Sequence, residues 1–336
     1  MGRFVASIFG VCLMVSCTET PNQFNNTTIT SFDLSSNAIV QEIRHLFSFD
    51  IRAQNCYYVG DSVFVVIKKK QMGEPVVQII NESSMESRTL YEYGGGDGQL
   101  LSVQSHFDGR TLLLHDYIKH YVCQVDVVRA CEDAGYEPGG QFVPIETQYI
   151  IPGKEKQLLY LDPQSFSGKR RVGIIMEGKR TQKPKNLEAF NIVRGQLFFN
   201  SKTNRICYVD QHNGVIEIWD QRKIVHRIKV EMPVSPHYSW YNEQMLIFKG
   251  KIPFSFRSGC SNDSIIAVLF DPYEMQQDES ADYFYETPYV FILDWMGNVL
   301  EIYKIVGEKR PTSISITSKG DIFYMSIENT SIHLLH

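Results

Sequence analysis

The sequence predicts an all-β fold, a six-bladed β-propeller closed by an N-terminal strand. Beyond residue 38 the chain consists of short alternating or β-branched runs separated by Gly, Asn and Asp, which is typical of sandwiches, barrels and propellers. One hairpin pattern occurs twice, and internal repetition favours a propeller among these folds. The last predicted sheet has only three strands, and a strand near the N-terminus can complete it.

The composition fits one globular β domain in a chain of 336 residues. Aromatic residues make up 12% of the chain, which favours strands. Lys and Arg number 33 against 38 Asp and Glu, so the formal net charge is -5 and no nucleic-acid surface is indicated. The basic run Lys68-Lys69-Lys70 is expected in a solvated turn rather than at an anionic partner.

Residues 1–16 have the pattern of a cleaved signal peptide. Arg3 precedes an apolar stretch at residues 4–15, which is shorter than the ~20 residues that cross a bilayer. Polar, Thr- and Asn-rich sequence follows directly. The alternative is a buried first strand or helix of the fold. A signal peptide predicts that the mature protein lies outside the cytoplasm.

The end of the apolar stretch, Leu13-Met14-Val15-Ser16-Cys17, resembles the bacterial lipobox. The resemblance implies that Cys17 becomes the mature N-terminus and carries a thioether-linked diacylglycerol and an amide-linked acyl chain. Two or more chains hold a protein stably on a membrane. We therefore expect a lipoprotein of the cell envelope, anchored at the outer membrane. Residues 17–38 are predicted to be this lipidated cysteine and a flexible polar tether.

The repeated hairpin pattern covers residues 209–219 and 293–303. Each copy has an apolar residue and Asp, two variable residues, a Gly/Asn pair, and then Val, an aliphatic residue, Glu, Ile and an aromatic residue. Gly/Asn pairs suit the positive φ angles of a tight hairpin. Asp210 and Asp294 can accept hydrogen bonds within the same turns. We predict that both carboxylates are structural and occupy equivalent positions in two blades.

The six predicted blades cover about residues 52–93, 100–151, 155–182, 188–230, 252–306 and 311–336. Residues 39–47 are predicted to pair beside Ser331–Leu335 as the fourth strand of the sixth blade. Closing the ring with both chain ends removes an exposed sheet edge. The propeller domain is therefore predicted to span residues 39–336.

Three stretches, residues 93–100, 289–304 and 314–324, resemble the glycine-rich link, the fifth-blade signature and the last blade of TolB-like six-bladed propeller lipoproteins of Bacteroides-type bacteria. The link lacks the proline and acidic residue usual in that family. The resemblance implies a lipid-anchored propeller and assigns no biochemical activity. Cys17 is the one functional residue that it transfers.

After Cys12 and Cys17, five cysteines remain in the predicted mature domain. Their odd number and the absence of a CxxC pair indicate neither a disulfide framework nor a zinc ribbon. Those in strand-like runs are expected to pack as small hydrophobic residues. Cys123 and Cys131 could pair in an oxidising compartment. The remaining cysteines are Cys56, Cys123, Cys131, Cys207 and Cys260.

Several motifs permit a site but favour a structural role. The glycine run at residues 94–98 could bind phosphate, but a strand follows it, so an inter-blade loop is favoured. His115, Asp116 and His120 could bind a metal, but a hairpin turn is favoured. The acidic stretch 276–282 could bind calcium, but lacks the spacing of known calcium loops.

Aromatic residues cluster between the fourth and fifth predicted blades. Packing between blades is the favoured role, and a platform for a sugar or protein is the alternative. The residues are Tyr238, Trp240, Tyr241, Phe254 and Phe256.

The predicted function is a non-enzymatic binding or scaffold module at the cell envelope, because propellers present variable loops on a rigid ring. We expect a monomer without a cofactor, attached to the membrane by the lipid on Cys17 and binding an unknown protein or glycan. The alternative is a lactonase-like hydrolase. It would need a metal in the central channel, held by Asp, Asn, Glu or His side chains from several blades.

Overall fold

The chain folds into an all-β propeller. A computed structural model describes residues 25–41, 43–48, 53–59, 63–81, 83–84, 86–107, 109–133, 135–142, 150–152, 158–162, 171–175, 194–220, 223–241, 245–275, 281–306, 310–317, 319–326 and 331–335. The strands in these ranges form seven sheets, of which five have four or more strands.

The elements of the first half are β1 (Asn25–Ile29), α1 (Ser31–Asn37), β2 (Ile39–Gln41), β3 (Ile43–Ser48), β4 (Ala53–Val59), β5 (Val63–Lys68), β6 (Pro75–Asn81), β7 (Ser87–Glu92), β8 (Val103–Phe107), β9 (Thr111–Asp116), β10 (Tyr121–Asp126), α2 (Val127–Glu132), β11 (Gly139–Phe142), β12 (Ile150–Pro152), β13 (Leu158–Asp162) and β14 (Arg171–Ile175). Those of the second half are β15 (Gly195–Asn200), β16 (Arg205–Asp210), β17 (Val215–Asp220), β18 (Lys223–Val230), β19 (Tyr238–Tyr241), β20 (Met245–Phe248), β21 (Ile252–Ser261), β22 (Ile265–Met275), β23 (Ala281–Tyr283), β24 (Tyr289–Asp294), β25 (Val299–Ile305), β26 (Pro311–Ile316), β27 (Ile322–Ser326) and β28 (Ser331–Leu335).

The five larger sheets are the blades, which we label A to E. From the innermost strand outward, they are β4-β5-β6-β7 (A), β8-β9-β10-β11 (B), β15-β16-β17-β18 (C), β21-β22-β24-β25 (D) and β26-β27-β28-β3 (E). Second strands such as β5 and β22 are buried over continuous apolar runs, Phe64 to Ile67 and Ile266 to Phe270. Both faces of these strands are covered because each blade packs between neighbours, so the runs do not alternate.

Apolar clusters hold the blades together. Separate clusters join blades A and B, C and D, D and E, and E and A. Each cluster draws its side chains from the facing surfaces of two blades. The core of the molecule is therefore a set of layers between blades, arranged around a central channel.

Six four-stranded blades are predicted, but the part of the chain that the structure describes shows five. Within the described ranges, the region predicted as the third blade contributes only the three-stranded sheet β12-β13-β14. This sheet contacts β9 of blade B and β15 of blade C through β12. The physical reason is composition: three short apolar runs are separated there by segments rich in Lys, Gly and Pro, which favour loops.

The predicted closure of the last blade is confirmed, with one correction. β3 pairs antiparallel with β28, so that Phe47 lies opposite Ile332 and Ile43 opposite Leu335. The predicted strand 39–47 is not continuous, however. Its first part, β2, pairs parallel with β25 at the outer edge of blade D. The chain thus crosses from blade D to blade E between β2 and β3.

The tether predicted for residues 17–38 is wrong in its second half. β1 pairs parallel with β18 and adds a fifth strand to blade C. α1 follows with a capping box, in which the side chains of Thr30 and Asp33 bond to each other's backbone N–H groups. Leu34 is 1% exposed and packs in the cluster between blades C and D. Burial of this leucine outweighs the polar composition of the segment.

The predicted signal peptide, Cys17 and the first part of the tether lie outside the described residues. In the part of the chain that the structure describes, no helix has the length and apolarity needed to cross a membrane.

Candidate functional site

The candidate site is the central channel of the propeller. The innermost strands β4, β8, β15, β21 and β26 all contribute to its wall, which surrounds a cavity of about 330 Å³. Polar side chains on this wall are mostly amides and hydroxyls, namely Gln54, Asn55, Tyr57, Gln104, Ser105, Gln196, Gln211, Ser258, Thr312 and Ser313.

A second cavity of about 290 Å³ continues the channel toward the turns that follow the innermost strands. Tyr57, Phe107 and Cys260 border both cavities. The rings of Tyr57 and Phe107 lie 5.4 Å apart, and the Tyr57 hydroxyl donates to the Ser105 carbonyl oxygen at 3.0 Å. The two cavities therefore adjoin at Tyr57, Phe107 and Cys260, and we call the first the wide chamber.

A buried charge cluster stands behind one wall of the wide chamber. Arg257 of β21 lines the cavity, and its Nη1 donates to Asp271 Oδ2 at 3.1 Å and to the Tyr283 hydroxyl at 3.0 Å. Arg310 donates to the other oxygen of Asp271, and its Nη2 donates to the Glu286 carbonyl oxygen at 2.9 Å. The Asp271 side chain is fully buried. Two guanidinium groups thus share one carboxylate, which leaves a net charge of one positive unit.

Aromatic rings fix the orientation of these guanidinium groups. Arg257 lies 5.1 Å from the ring centre of Tyr273, and Arg310 lies 4.0 Å from that of Tyr283. Such contacts stabilise cations through the ring quadrupole. Burial opposes the charge of Arg257, but Tyr283 and Asp271 together raise its pKa above the ordinary value.

The polar wall is only partly satisfied by the protein. Asn55 Nδ2 donates to Ser105 Oγ at 2.9 Å across blades A and B. Within the described ranges, Oε1 of Gln104 and Oε1 of Gln196 are buried and have no hydrogen-bond partner. Such unpaired acceptors cost free energy, which a bound donor would recover.

The turn carboxylates are structural, as predicted. Asp210 Oδ1 accepts from the backbone N–H groups of His212 and Asn213 at 2.8 and 2.9 Å, and Oδ2 accepts from the Tyr208 hydroxyl at 3.0 Å. Asp294 Oδ1 accepts from the backbone N–H groups of Met296 and Asn298. Burial opposes ionisation of Asp294, but the bonds from Asn298 and the turn lower its pKa below the ordinary value.

The predicted equivalence of the two aspartates is wrong. Asp210 lies between the second and third strands of blade C, whereas Asp294 lies between the third and fourth strands of blade D. The repeat is therefore shifted by one strand. The true counterpart of Asp210 is Asp116 in blade B, which accepts from the backbone N–H groups of Ile118 and Lys119 after the second strand.

For His115, Asp116 and His120 the sequence favoured a hairpin turn over a metal site. In the structure, Asp116 accepts hydrogen bonds from the backbone of its own hairpin turn. No group of three or more His, Cys, Asp or Glu side chains suited to a metal ion occurs within the described ranges.

The glycine run is an inter-blade loop, as favoured from the sequence. It joins β7 of blade A to β8 of blade B, and Gly94 N donates to the Leu100 carbonyl oxygen at 2.9 Å. A Cβ atom on Gly94 would lie 2.0 Å from Gln99 Oε1, so a larger residue there would displace the Gln99 side chain. Lys119 Nζ donates to the carbonyl oxygens of Gly96 and Gln99 and fixes the loop.

The predicted aromatic cluster packs within the fold where it is described. Phe254 and Phe256 are buried, and Tyr238 lies 5.3 Å from the ring of Phe248. His212 lies between the rings of Phe248 and Phe254. Its Nδ1 is 2.7 Å from the Pro253 carbonyl oxygen, and burial lowers its pKa. The side chains of Trp240 and Tyr241 lie outside the described residues.

The acidic stretch and the cysteine pair are the remaining sequence candidates, and the structure describes the first of them only in part. In the acidic stretch, residues 276–280 lie outside the described ranges, and Asp282 is 3.4 Å from Lys251 Nζ. Cys123 and Cys131 are not bonded to each other. Burial raises the pKa of Cys123 to about 11, so this thiol stays protonated and unreactive at neutral pH.

Sequence reasoning missed Arg257, the most distinctive residue of the channel. The available signal was an arginine between apolar and small residues of the segment that forms β21, Ile252–Ser261. A cation at such a position must find partners when it is buried. Its partners, Asp271 and Tyr283, lie on β22 and β23, too far along the chain for a local sequence pattern to predict the contact.

Two solved structures from Bacteroides share this fold. A member of the DUF4221 family from Bacteroides vulgatus matches with a TM-score of 0.55 at 9% identity, over 88% of this chain and 96% of that chain. A "Putative exported protein" from Bacteroides fragilis matches with a TM-score of 0.52 at 11% identity, over 93% and 99%. At these identities the likeness shows the propeller fold alone.

No protein-family profile matches the sequence, and no curated protein matches it. The resemblance to TolB-like lipoproteins is therefore not confirmed. The fold and the two adjoining cavities define the chain as a β-propeller with a polar central channel.

Proposed function

We propose that this chain is a lipid-anchored binding module of the bacterial cell envelope, which takes up a glycan or peptide ligand in its central channel and catalyses no reaction. The observation that carries the proposal is the channel wall. It combines amides, hydroxyls and one arginine, and two of its buried acceptors, Oε1 of Gln104 and Oε1 of Gln196, have no protein partner in the described ranges. A concave site with a few convergent polar groups is the usual form of a ligand site.

The carboxylates of the propeller support binding over metal-dependent hydrolysis. A lactonase-like site needs carboxylates or histidines that converge on the channel from several blades. Asp116, Asp210 and Asp294 instead accept hydrogen bonds within their own hairpin turns. Asp271 is shared by two arginines behind the wall.

The N-terminal segment supports attachment near the membrane. Seven residues separate Cys17 from Asn25, the first residue of β1. A fully extended chain of this length reaches at most about 28 Å. A lipid on Cys17 would therefore hold the outer edge of blade C close to the headgroups. The description of one structural neighbour as exported agrees with a place outside the cytoplasm.

A ligand screen by thermal unfolding tests the binding function. The purified chain from Thr18 onward is screened against mono- and oligosaccharides and envelope peptides. We expect some compounds to raise the melting temperature, and Gln54→Trp to abolish the shift, because Gln54 is an exposed residue on the cavity wall.

Gln71→Trp is the matched control, since Gln71 is exposed in the turn between β5 and β6, away from the channel. A shift that survives Gln54→Trp would place the ligand elsewhere. Metal analysis of the same preparation, with hydrolysis of a lactone substrate, tests the alternative. A stoichiometric metal together with turnover of the lactone would show that the chain is a hydrolase and not a binding module.

A further inference from the structure

We infer that the wide chamber binds a small, hydroxyl-bearing organic anion, such as a uronic acid, with its carboxylate on Arg257. This inference rests on the proposed binding function and specifies its ligand.

The charge of the wall favours an anion. Among the described residues that line the wide chamber, none is Asp or Glu, and Arg257 is the one permanently charged side chain. The Asp271 carboxylate behind it is neutralised by Arg310 as well. The positive charge of Arg257 is therefore not cancelled locally. In a partly enclosed cavity such a charge is weakly screened and attracts anions.

The hydrogen bonds of Arg257 leave two of its guanidinium nitrogens, Nε and Nη2, available to a ligand. Its bonds to Asp271 and Tyr283 both use Nη1. Within the described ranges, Nε and Nη2 donate to no protein group. The N–H bonds of Nε and Nη2 point in parallel and match the two oxygens of a carboxylate or phosphate. Contacts with Tyr273 and Tyr283 hold the guanidinium plane in place, so little entropy is lost on binding.

Two amide side chains on the same wall favour hydroxyl groups on the ligand. Gln104 of blade B and Gln196 of blade C border the cavity, and the buried Oε1 atom of each lacks a donor. Half a turn of each amide exchanges its oxygen and nitrogen, so either atom can face a ligand. A polyhydroxylated molecule can both donate to and accept from such amides.

The size of the chamber limits the ligand to a small molecule. Its volume of about 330 Å³ lies at the lower end of the range of ligand sites, which is roughly 300–1,000 Å³. A monosaccharide acid fits this space, whereas a folded protein or a duplex nucleic acid cannot enter it.

Calorimetric titration of the purified chain from Thr18 onward tests the inference, with D-glucuronate, D-galacturonate, D-glucose and inorganic phosphate as probes. We expect a uronate to bind at least about 10-fold more tightly than glucose, since charge-assisted bonds are lost with the carboxylate. Arg257→Gln should weaken uronate binding by a similar factor. Arg257→Lys keeps the charge beside Asp271 but lacks the fork, and should also lose most of the preference.

Arg205→Gln is the matched control, because Arg205 is a partly buried arginine that donates to the Trp295 carbonyl oxygen outside the channel. It should bind uronate like the wild type. Equal affinity for glucose and uronate, or uronate affinity unchanged in both Arg257 variants, would overturn the inference. So would binding of phosphate alone, or no uronate binding at about 10 mM. Binding of neutral sugars would still leave the proposed binding function standing.

Discussion

At the scale of single residues, the hairpin aspartates show how one carboxylate organises a turn. Asp210 is fully buried and accepts hydrogen bonds from three neighbouring residues of its own hairpin. Removal of this acceptor would leave buried N–H and O–H donors without a partner. Asp220, at the far end of the same hairpin, is exposed and supplies a natural comparison.

Asp210→Ala is therefore expected to lower the free energy of unfolding by about 1–2 kcal/mol, the cost of unsatisfied buried donors. Chemical denaturation of the purified domain measures this change. Asp220→Ala should alter stability by less than about 0.5 kcal/mol, as surface substitutions usually do. Equal effects of the two substitutions would mean that the hydrogen bonds of the buried turn add nothing to the free energy of unfolding.

The sequence predicts the role of Asp210 and Asp294 but not their positions in the blades. An Asp beside a Gly/Asn pair is a local signal, because the hydrogen bonds that it makes are within four residues. Which strands flank the turn depends on pairing between distant segments, and the local pattern is the same in both hairpins. Arg257 escaped notice for the same reason, since its partners come from other strands.

At the scale of elements, the N-terminal segment is the main surprise. Its polar composition predicts a tether, yet β1, α1, β2 and β3 run along blades C, D and E in turn. One buried leucine, Leu34, and backbone pairing to exposed strand edges stabilise this path. Edge pairing depends little on side-chain type, so composition alone does not reveal it. The closing strand was predictable because pairing it beside β28 covers the exposed edge of the last blade.

Membrane attachment follows from this segment together with the proposed lipid. A version of the chain that starts at Thr18, behind an unrelated signal peptide, should appear in the soluble fraction, whereas the full chain should appear in the membrane fraction. The lipid is the only strong attachment that the sequence offers. The two forms should unfold at the same temperature, because both keep the strand Asn25–Ile29 that pairs with blade C.

Fractionation followed by immunoblotting measures the distribution. If the chain from Thr18 still sediments with membranes, lipid on Cys17 is not the anchor. A partner-binding surface on the propeller would then account for the attachment.

At the scale of the whole molecule, the ring arrangement was predictable and the blade count was not. Regular apolar runs with turn signals predict blades A, B, C, D and E with boundaries close to those observed. Between blades B and C, the described residues form only the three-stranded sheet β12-β13-β14. The channel itself has no sequence pattern, because its wall is assembled from one strand of each blade.

Protection of a channel cysteine from a maleimide tests whether a ligand occupies this channel. Gln54→Cys places a thiol on the wall of the wide chamber. Among the native cysteines of the described domain, Cys131 is exposed and the others are buried, so Cys131 serves as an internal reference. With a saturating amount of the compound that raises the melting temperature most, labelling at position 54 should slow several-fold while labelling of Cys131 stays constant. Unchanged labelling at position 54 under saturation would show that the ligand binds outside the central channel.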